Sequence, residues 1–133
     1  PIKHLSLHLL MTTSFTLYHN PNCSKSRAVL ALLNDRNVTL TVINYLNNPP
    51  DAAMLNQLLT LLTRTPRELM RTTEATYRQA NIDHADVSHD ELVAAMVEYP
   101  ILIERPIVVK HCTKAGSKAI IGRPPENIEV LFT

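Results

Sequence analysis

Glycine and cysteine are both scarce in this 133-residue chain, which has two of each: Gly116 and Gly122, Cys23 and Cys112. Average usage would give roughly nine glycines. A loop that cradles phosphate on backbone N–H groups needs several glycines close together, so neither G-x-G-x-x-G nor G-x-x-x-x-G-K-[ST] can be written here. Any oxyanion must then be held by side chains and a helix end. Two cysteines this far apart fit neither the close spacing of a zinc finger or ribbon nor a disulfide framework. No metal site is expected, and a reducing, intracellular setting follows. Excess charge of one sign is missing too, with 13 basic against 12 acidic residues and no block of five like charges. That balance argues against nucleic acid or a membrane surface as partner. No apolar run approaches the ~18–20 residues of a transmembrane helix. Ile2 to Met11 carries Lys3, His4 and His8 and no small-residue cleavage site, unlike a signal peptide. The reading is a cytoplasmic protein with a small partner.

What is present suffices for one domain. Hydrophobic residues make up 45% of the chain, enough to close a single core within the usual domain size of ~100–150 residues. Residues 1–13 read as an N-terminal appendage in which Met11 is a candidate start, and residues 14–133 as the domain. Phe15 to His19 is β-branched and aromatic and stops at Asn20-Pro21-Asn22, as a strand ending in a turn does. From Ser24 the apolar set Ala28, Val29, Leu32 and Leu33 recurs at helical spacing, with Asn22 or Cys23 at the N-cap and Asn34-Asp35 at the end. Val38 to Ile43 reads as a second strand, and strand, helix, strand implies a right-handed parallel unit.

The middle of the chain changes character. Asp51 caps a helix through Leu62, Thr65-Pro66 opens a short one through Met70, and Ser88 opens another through Tyr99. Ile107-Val108-Val109 and Lys118 to Ile121, joined by a polar turn around Gly116, read as a hairpin. Arg123-Pro124-Pro125 starts a final helix striped by Ile128, Leu131 and Phe132. The order β-α-β, helical insert, β-β-α predicts an α/β, thioredoxin-like (glutaredoxin-like) sheet with the insert between its second and third strands. Arg105-Pro106 falls where that fold places a cis-proline beside its reactive thiol.

Cys23 falls at the junction between the first strand and the first helix, where free N–H groups and the helix dipole stabilise a thiolate. An ordinary thiol is only a few per cent ionised at neutral pH, and depressing its pKa raises that fraction steeply. His19, Lys25 and Arg27 are near enough in sequence to add to the effect. The competing reading is a small buried residue at a helix start, which free cysteines often are. The motif Cys23-Ser24-Lys25-Ser26 lacks the second cysteine of a C-x-x-C pair, so a redox cycle must finish on an external thiol. Cys112, near a turn, is read as structural or exposed, and His111-Cys112 is too short a cluster for a metal. Cys23 also lies too close to Arg27 for a phosphatase-type anion loop, which needs five residues between its cysteine and arginine.

Five separated motifs resemble one family. They are Tyr18-His19-Asn20-Pro21-Asn22-Cys23-Ser24-Lys25-Ser26-Arg27, Tyr45-Leu46-Asn47-Asn48-Pro49-Pro50, Arg67-Glu68-Leu69-Met70-Arg71, Glu104-Arg105-Pro106-Ile107-Val108-Val109 and Ile121-Gly122-Arg123-Pro124-Pro125. In this order they look like the glutaredoxin-coupled arsenate reductase (ArsC) family, from Phe15 to the C-terminus. The C-S-K-S-R motif and the end of the chain at Thr133 resemble its shorter branch. The resemblance implies that Cys23 attacks arsenate, that His19 and Ser26 favour its thiolate, Ser26 by a hydrogen bond, and that Arg71, Arg105 and Arg123 hold the oxyanion. It implies no bound cofactor, with glutathione as co-substrate and glutaredoxin as partner. Three planar, permanently charged donors suit an anion that no glycine loop can hold.

Two other functions compete. A glutathione-dependent thiol-disulfide oxidoreductase would keep the fold and use Cys23 on mixed disulfides. A non-enzymatic regulator docking on RNA polymerase would keep the fold alone, and the missing C-x-x-C and near-neutral charge speak against it.

Overall fold

The computed structural model describes residues 12–133. The expected appendage therefore lies almost wholly outside the described residues, except that Thr13 already belongs to strand β1 (Thr13–His19). Helix α1 (Ser24–Asp35) follows, then β2 (Leu40–Asn44). The insert holds α2 (Ala52–Leu62), α3 (Pro66–Leu69), α4 (Ala75–Gln79) and α5 (His89–Glu98), and closes on a 3-10 turn at Pro100–Leu102. Strands β3 (Ile107–Cys112) and β4 (Lys118–Ile121) form the hairpin, and Pro125–Phe132 is helical again.

The sheet order is β2-β1-β3-β4, with β2 parallel to β1 and the pairs β1–β3 and β3–β4 antiparallel. This is the mixed α/β sheet that the element order predicts. No helix among the described residues is long and apolar enough to cross a membrane.

Alternation along the strands divides the core in two, since successive side chains leave a strand on opposite faces. Phe15 and Leu17 of β1 and Val108 of β3 pack with Val29 and Leu33 of α1 and with Ile128 and Leu131 near the C-terminus. Tyr18, Ile107 and Val109 face the other way, against Leu55, Leu58, Leu69 and Met96 of the insert. The insert is thus the second layer of the domain, covering the face that α1 leaves bare.

Helix starts follow their caps. Asp51 accepts the Met54 N–H, and Thr65 and Ser88 each form a capping box with the glutamate three residues on, Glu68 and Glu91.

Three expectations need correction. The second strand begins at Leu40 and ends at Asn44, because Asn37 takes a left-handed turn (φ 54°) that delays sheet pairing. Helix α4 was not expected: five residues with one buried side chain, Tyr77, carry too little periodicity to read. The final helix is 3-10, not α-helical. Its buried residues, Ile128 and Leu131, are three apart, and three residues per turn align them on one side.

The Arg105–Pro106 bond is cis, as the fold suggests, and Arg123–Pro124 is cis as well. Between them lies Gly122, whose N–H bonds to Pro106 O at 2.8 Å. A Cβ on Gly122 would stand 2.7 Å from Val29 Cγ2 and 3.1 Å from Pro106 Cγ. One of only two glycines is therefore spent on a close approach between β4, α1 and the cis-proline, a packing use rather than a phosphate loop.

Candidate active site

Strand β1 ends at His19, and the chain turns through Asn20-Pro21-Asn22 into α1. Asn20 makes the turn itself: its Oδ1 accepts the Asn22 N–H at 3.0 Å, and its carbonyl accepts the Cys23 N–H at 3.0 Å. Cys23 is the N-cap of α1, with extended backbone and its carbonyl already accepting from Arg27 N. Burial pushes the Cys23 thiol up, but the Ser26 N–H, the Arg105 guanidinium and the Lys25 N–H outweigh it, and the pKa lies below the ordinary thiol value. These amides are the free N–H groups of the first helical turn.

His19 and Ser26 are both buried, at 7% and 0% exposure. His19 Nδ1 lies 2.6 Å from Ser26 Oγ, which also accepts the Asn20 N–H at 3.0 Å. The Ser26 hydroxyl is thus tied to the turn, while the Ser26 N–H is the group that acts on the sulfur. Burial, helped by the Arg27 charge, lowers the His19 pKa and favours the neutral imidazole.

The three arginines come from three element boundaries and converge. Arg123 Nη1 stands 3.7 Å from the Cys23 sulfur and 3.4 Å from Arg105 O. Arg71 is carried in by an isolated antiparallel bridge, Met70 with Ile103, in which Arg71 N donates to Leu102 O at 2.7 Å and Glu104 N to Leu69 O at 2.8 Å. Arg105 is the most enclosed of the three, its side chain 13% exposed.

Two carboxylates that sequence reasoning missed stand among these arginines. Glu104 Oε1 pairs with Arg71 Nη1 at 2.9 Å and Arg123 Nε at 3.6 Å, and Glu74 Oε1 with Arg71 Nε at 3.1 Å and Arg105 Nη1 at 3.7 Å. Tyr45 was missed as well. It is 1% exposed, and burial is the main reason its pKa is raised; Arg105, the Asn20 side chain and Arg71 act to lower it, and Cys23 adds to the rise. The available signals were adjacency, Glu104 preceding Arg105, and the place of Tyr45-Leu46 at the start of the second family-like motif.

Among the described residues, three buried side-chain N or O atoms have no hydrogen-bond partner: Tyr45 Oη, Arg105 Nε and Arg105 Nη1. All three belong to this constellation. Unsatisfied buried donors are rare and point to a ligand or a strained site. A cavity of about 620 Å³ lies elsewhere, beside Phe15, Arg36, Lys110 and Phe132, and shares no lining residue with it. Among the described residues no group of three or more His, Cys, Asp and Glu side chains is placed to hold a metal ion.

Cys112 is far from this site in the fold, at the end of β3 beside the turn to β4. Its thiol pKa is also lowered, by the N–H groups of Ala115 and Lys114, but no arginine contributes.

Known proteins show the same arrangement of chain and fold. The chain is 47% identical over 119 residues to the uncharacterized protein YfgD of Escherichia coli strain K12, an overlap covering 89% of this chain and 96% of that one. It is 40% identical over 117 residues to an arsenate reductase of Neisseria meningitidis, covering 87% and 96%. The solved arsenate reductase structure from Vibrio cholerae superposes with a TM-score of 0.80 at 43% identity, covering 88% of this chain and 96% of that one. With the ArsC family model matching residues 18–131, from the end of β1 almost to the C-terminus, the chain belongs to the ArsC family.

Proposed function

We propose that this protein reduces arsenate to arsenite, with Cys23 as nucleophile and Arg71, Arg105 and Arg123 as the oxyanion clamp. The observation that carries this reading is the position of the unsatisfied donors: Arg105 Nε and Nη1 and Tyr45 Oη, buried beside a thiol whose pKa is lowered. Buried N–H and O–H groups left without a hydrogen-bond partner beside a thiol suit an anion whose charge develops there. The arsenate reductase relatives favour the same substrate.

The reaction runs in balanced steps. The Cys23 thiolate attacks arsenic(V) and displaces one oxygen, which leaves as water after protonation. Glutathione thiolate adds to arsenic in the same way. A glutaredoxin thiolate then attacks the glutathione sulfur, forming the mixed disulfide, and the electron pair of the sulfur–arsenic bond stays on arsenic as As(III). Water displaces the Cys23 thiolate and releases arsenite. An external reductant is required because the C-S-K-S motif carries no second thiol. A reducing cytoplasm supplies glutathione.

His19 and Ser26 favour the thiolate by fixing the first turn of α1. Their hydrogen bond ties the turn to β1 and aims the Ser26 N–H at the sulfur. The test is a coupled assay of the purified protein with arsenate, glutathione and glutaredoxin, alongside a glutathione mixed disulfide as alternative substrate. Arsenate-dependent oxidation of glutathione is the expected result. Turnover of the disulfide alone would replace the reading with a thiol-disulfide oxidoreductase.

A further inference from the structure

Glu104 stands inside the group of arginines assigned to the oxyanion. Its Oε1 lies 2.9 Å from Arg71 Nη1 and 3.6 Å from Arg123 Nε, and it accepts the Arg105 N–H at 3.2 Å. Arg123 reaches the other way with Nη1, 3.7 Å from the Cys23 sulfur. One guanidinium therefore links thiol and carboxylate. Glu74 adds a second carboxylate, 3.1 Å from Arg71 Nε and 3.7 Å from Arg105 Nη1. Three guanidinium charges face two carboxylates and a thiolate, so the assembled site is close to neutral. A clamp that served only to gather negative charge would be weakened by these acids, since each cancels part of the attracting field.

The acids do have a use in discrimination. An ionised carboxylate accepts hydrogen bonds and donates none. An oxyanion that brings only lone pairs to Glu104 is repelled, whereas one that carries a hydroxyl donates it to the carboxylate while the arginines take its other oxygens. Oε1 takes all three protein contacts described above, which leaves the acceptor capacity of Oε2 for the incoming hydroxyl.

We propose that Glu104 makes the site selective for a proton-bearing oxyanion, such as arsenate or phosphate, over one of similar size and charge that carries no proton, such as sulfate. The inference rests on the arsenate reading and names which form of oxyanion the clamp accepts. Glu104 is a specificity residue and takes part in no bond change.

The test follows alkylation of Cys23 by iodoacetamide, resolved from Cys112 by peptide mass, at fixed pH and ionic strength with arsenate, phosphate or sulfate titrated in. In the native protein, arsenate and phosphate protect Cys23 at concentrations about tenfold or more below those sulfate requires. Glu104→Gln keeps the side-chain shape and an acceptor at Oε1 but loses the charge. It brings sulfate to within about threefold of phosphate. Glu98→Gln, an equal charge change at an exposed position on α5, leaves the native ratio in place. Equal protection by sulfate and phosphate in the native protein overturns the proposal and leaves the arsenate reading standing. So does an unchanged ratio in folded Glu104→Gln, or an equal shift in Glu98→Gln. The native comparison decides the matter by itself should Glu104→Gln fail to fold. Protection by none of the three anions overturns the arsenate reading and this inference with it.

Discussion

Cys23 and Cys112 have lowered pKa values for partly the same reason: each faces backbone N–H groups in a tight piece of chain, Ser26 and Lys25 for one and Ala115 and Lys114 for the other. What separates them is the second layer. Around Cys23 lie Arg105 and Arg123, with Arg71 joined to Arg123 through Glu104, while among the described residues the charge that acts on Cys112 is that of Lys110. A favoured thiolate is therefore cheap to make wherever the backbone folds back on itself. A thiolate that can act on an anion also needs cations that outweigh the repulsion between two negative groups.

The largest expected effect is the loss of the Cys23 sulfur. Cys23→Ser is expected to lower arsenate turnover in the coupled assay by about 10⁴-fold or more, because the other thiol, Cys112, stands away from the arginines.

Arg105→Ala comes next. It should reduce kcat/KM for arsenate by about 10²–10³-fold, the usual loss on removing one donor from an oxyanion site. Arg105→Lys keeps the charge and loses the planar fork, so it should recover only part of that activity. The same alanine variant has a second signature. Arg105 lowers the Cys23 pKa, so its removal should shift the pH midpoint of Cys23 alkylation upward and leave that of Cys112 in place. The sign for stability follows. A thiol depressed in the folded state stabilises it above the ordinary thiol pKa, and that contribution is lost as pH falls through the folded value. In Arg105→Ala the loss should occur at higher pH. Equal shifts at both cysteines would show that the arginine layer is not what distinguishes them.

Gly122→Ala tests the scaffold between the two cis-prolines. The added methyl meets Val29 Cγ2 and Pro106 Cγ, so a loss of about 1–3 kcal/mol in denaturant unfolding is expected. Gly116→Ala should cost less by the same measurement, because no atom stands within 4 Å of its Cβ position and only its φ of +81° resists the change. The smallest effect belongs to Cys112→Ser, which should leave arsenate turnover within about twofold of native. A large loss there would mean that Cys112 supplies the resolving thiol and would break the contrast altogether.

Much of the fold was legible because its signals are local. Asp51, Thr65 and Ser88 announce their helices through caps that need only three or four residues. Strand β1 and the hairpin carry β-branched and aromatic runs bounded by turns. Helix α4 was missed because five residues do not complete two turns of any pattern. The geometry of Pro125–Phe132 was missed because Ile128 and Leu131 suit an α-helical and a 3-10 stripe alike.

The site divides along the same line. Cys23 at a helix start, the want of a second cysteine beside it, and the want of a glycine loop are properties of short stretches, readable before any fold is known. Their consequence under the proposed function, a half-buried thiol that draws both cations and reductant from elsewhere, follows from peptide geometry and counting. The tertiary structure alone decided which cations, and with what acids among them. The Met70–Ile103 bridge sets Arg71 beside Glu104, and the close approach at Gly122 sets Arg123 against Cys23. Charge interactions act over a few ångströms whatever the separation along the chain, so a carboxylate that pairs with distant arginines leaves no trace in sequence spacing until the fold brings it there.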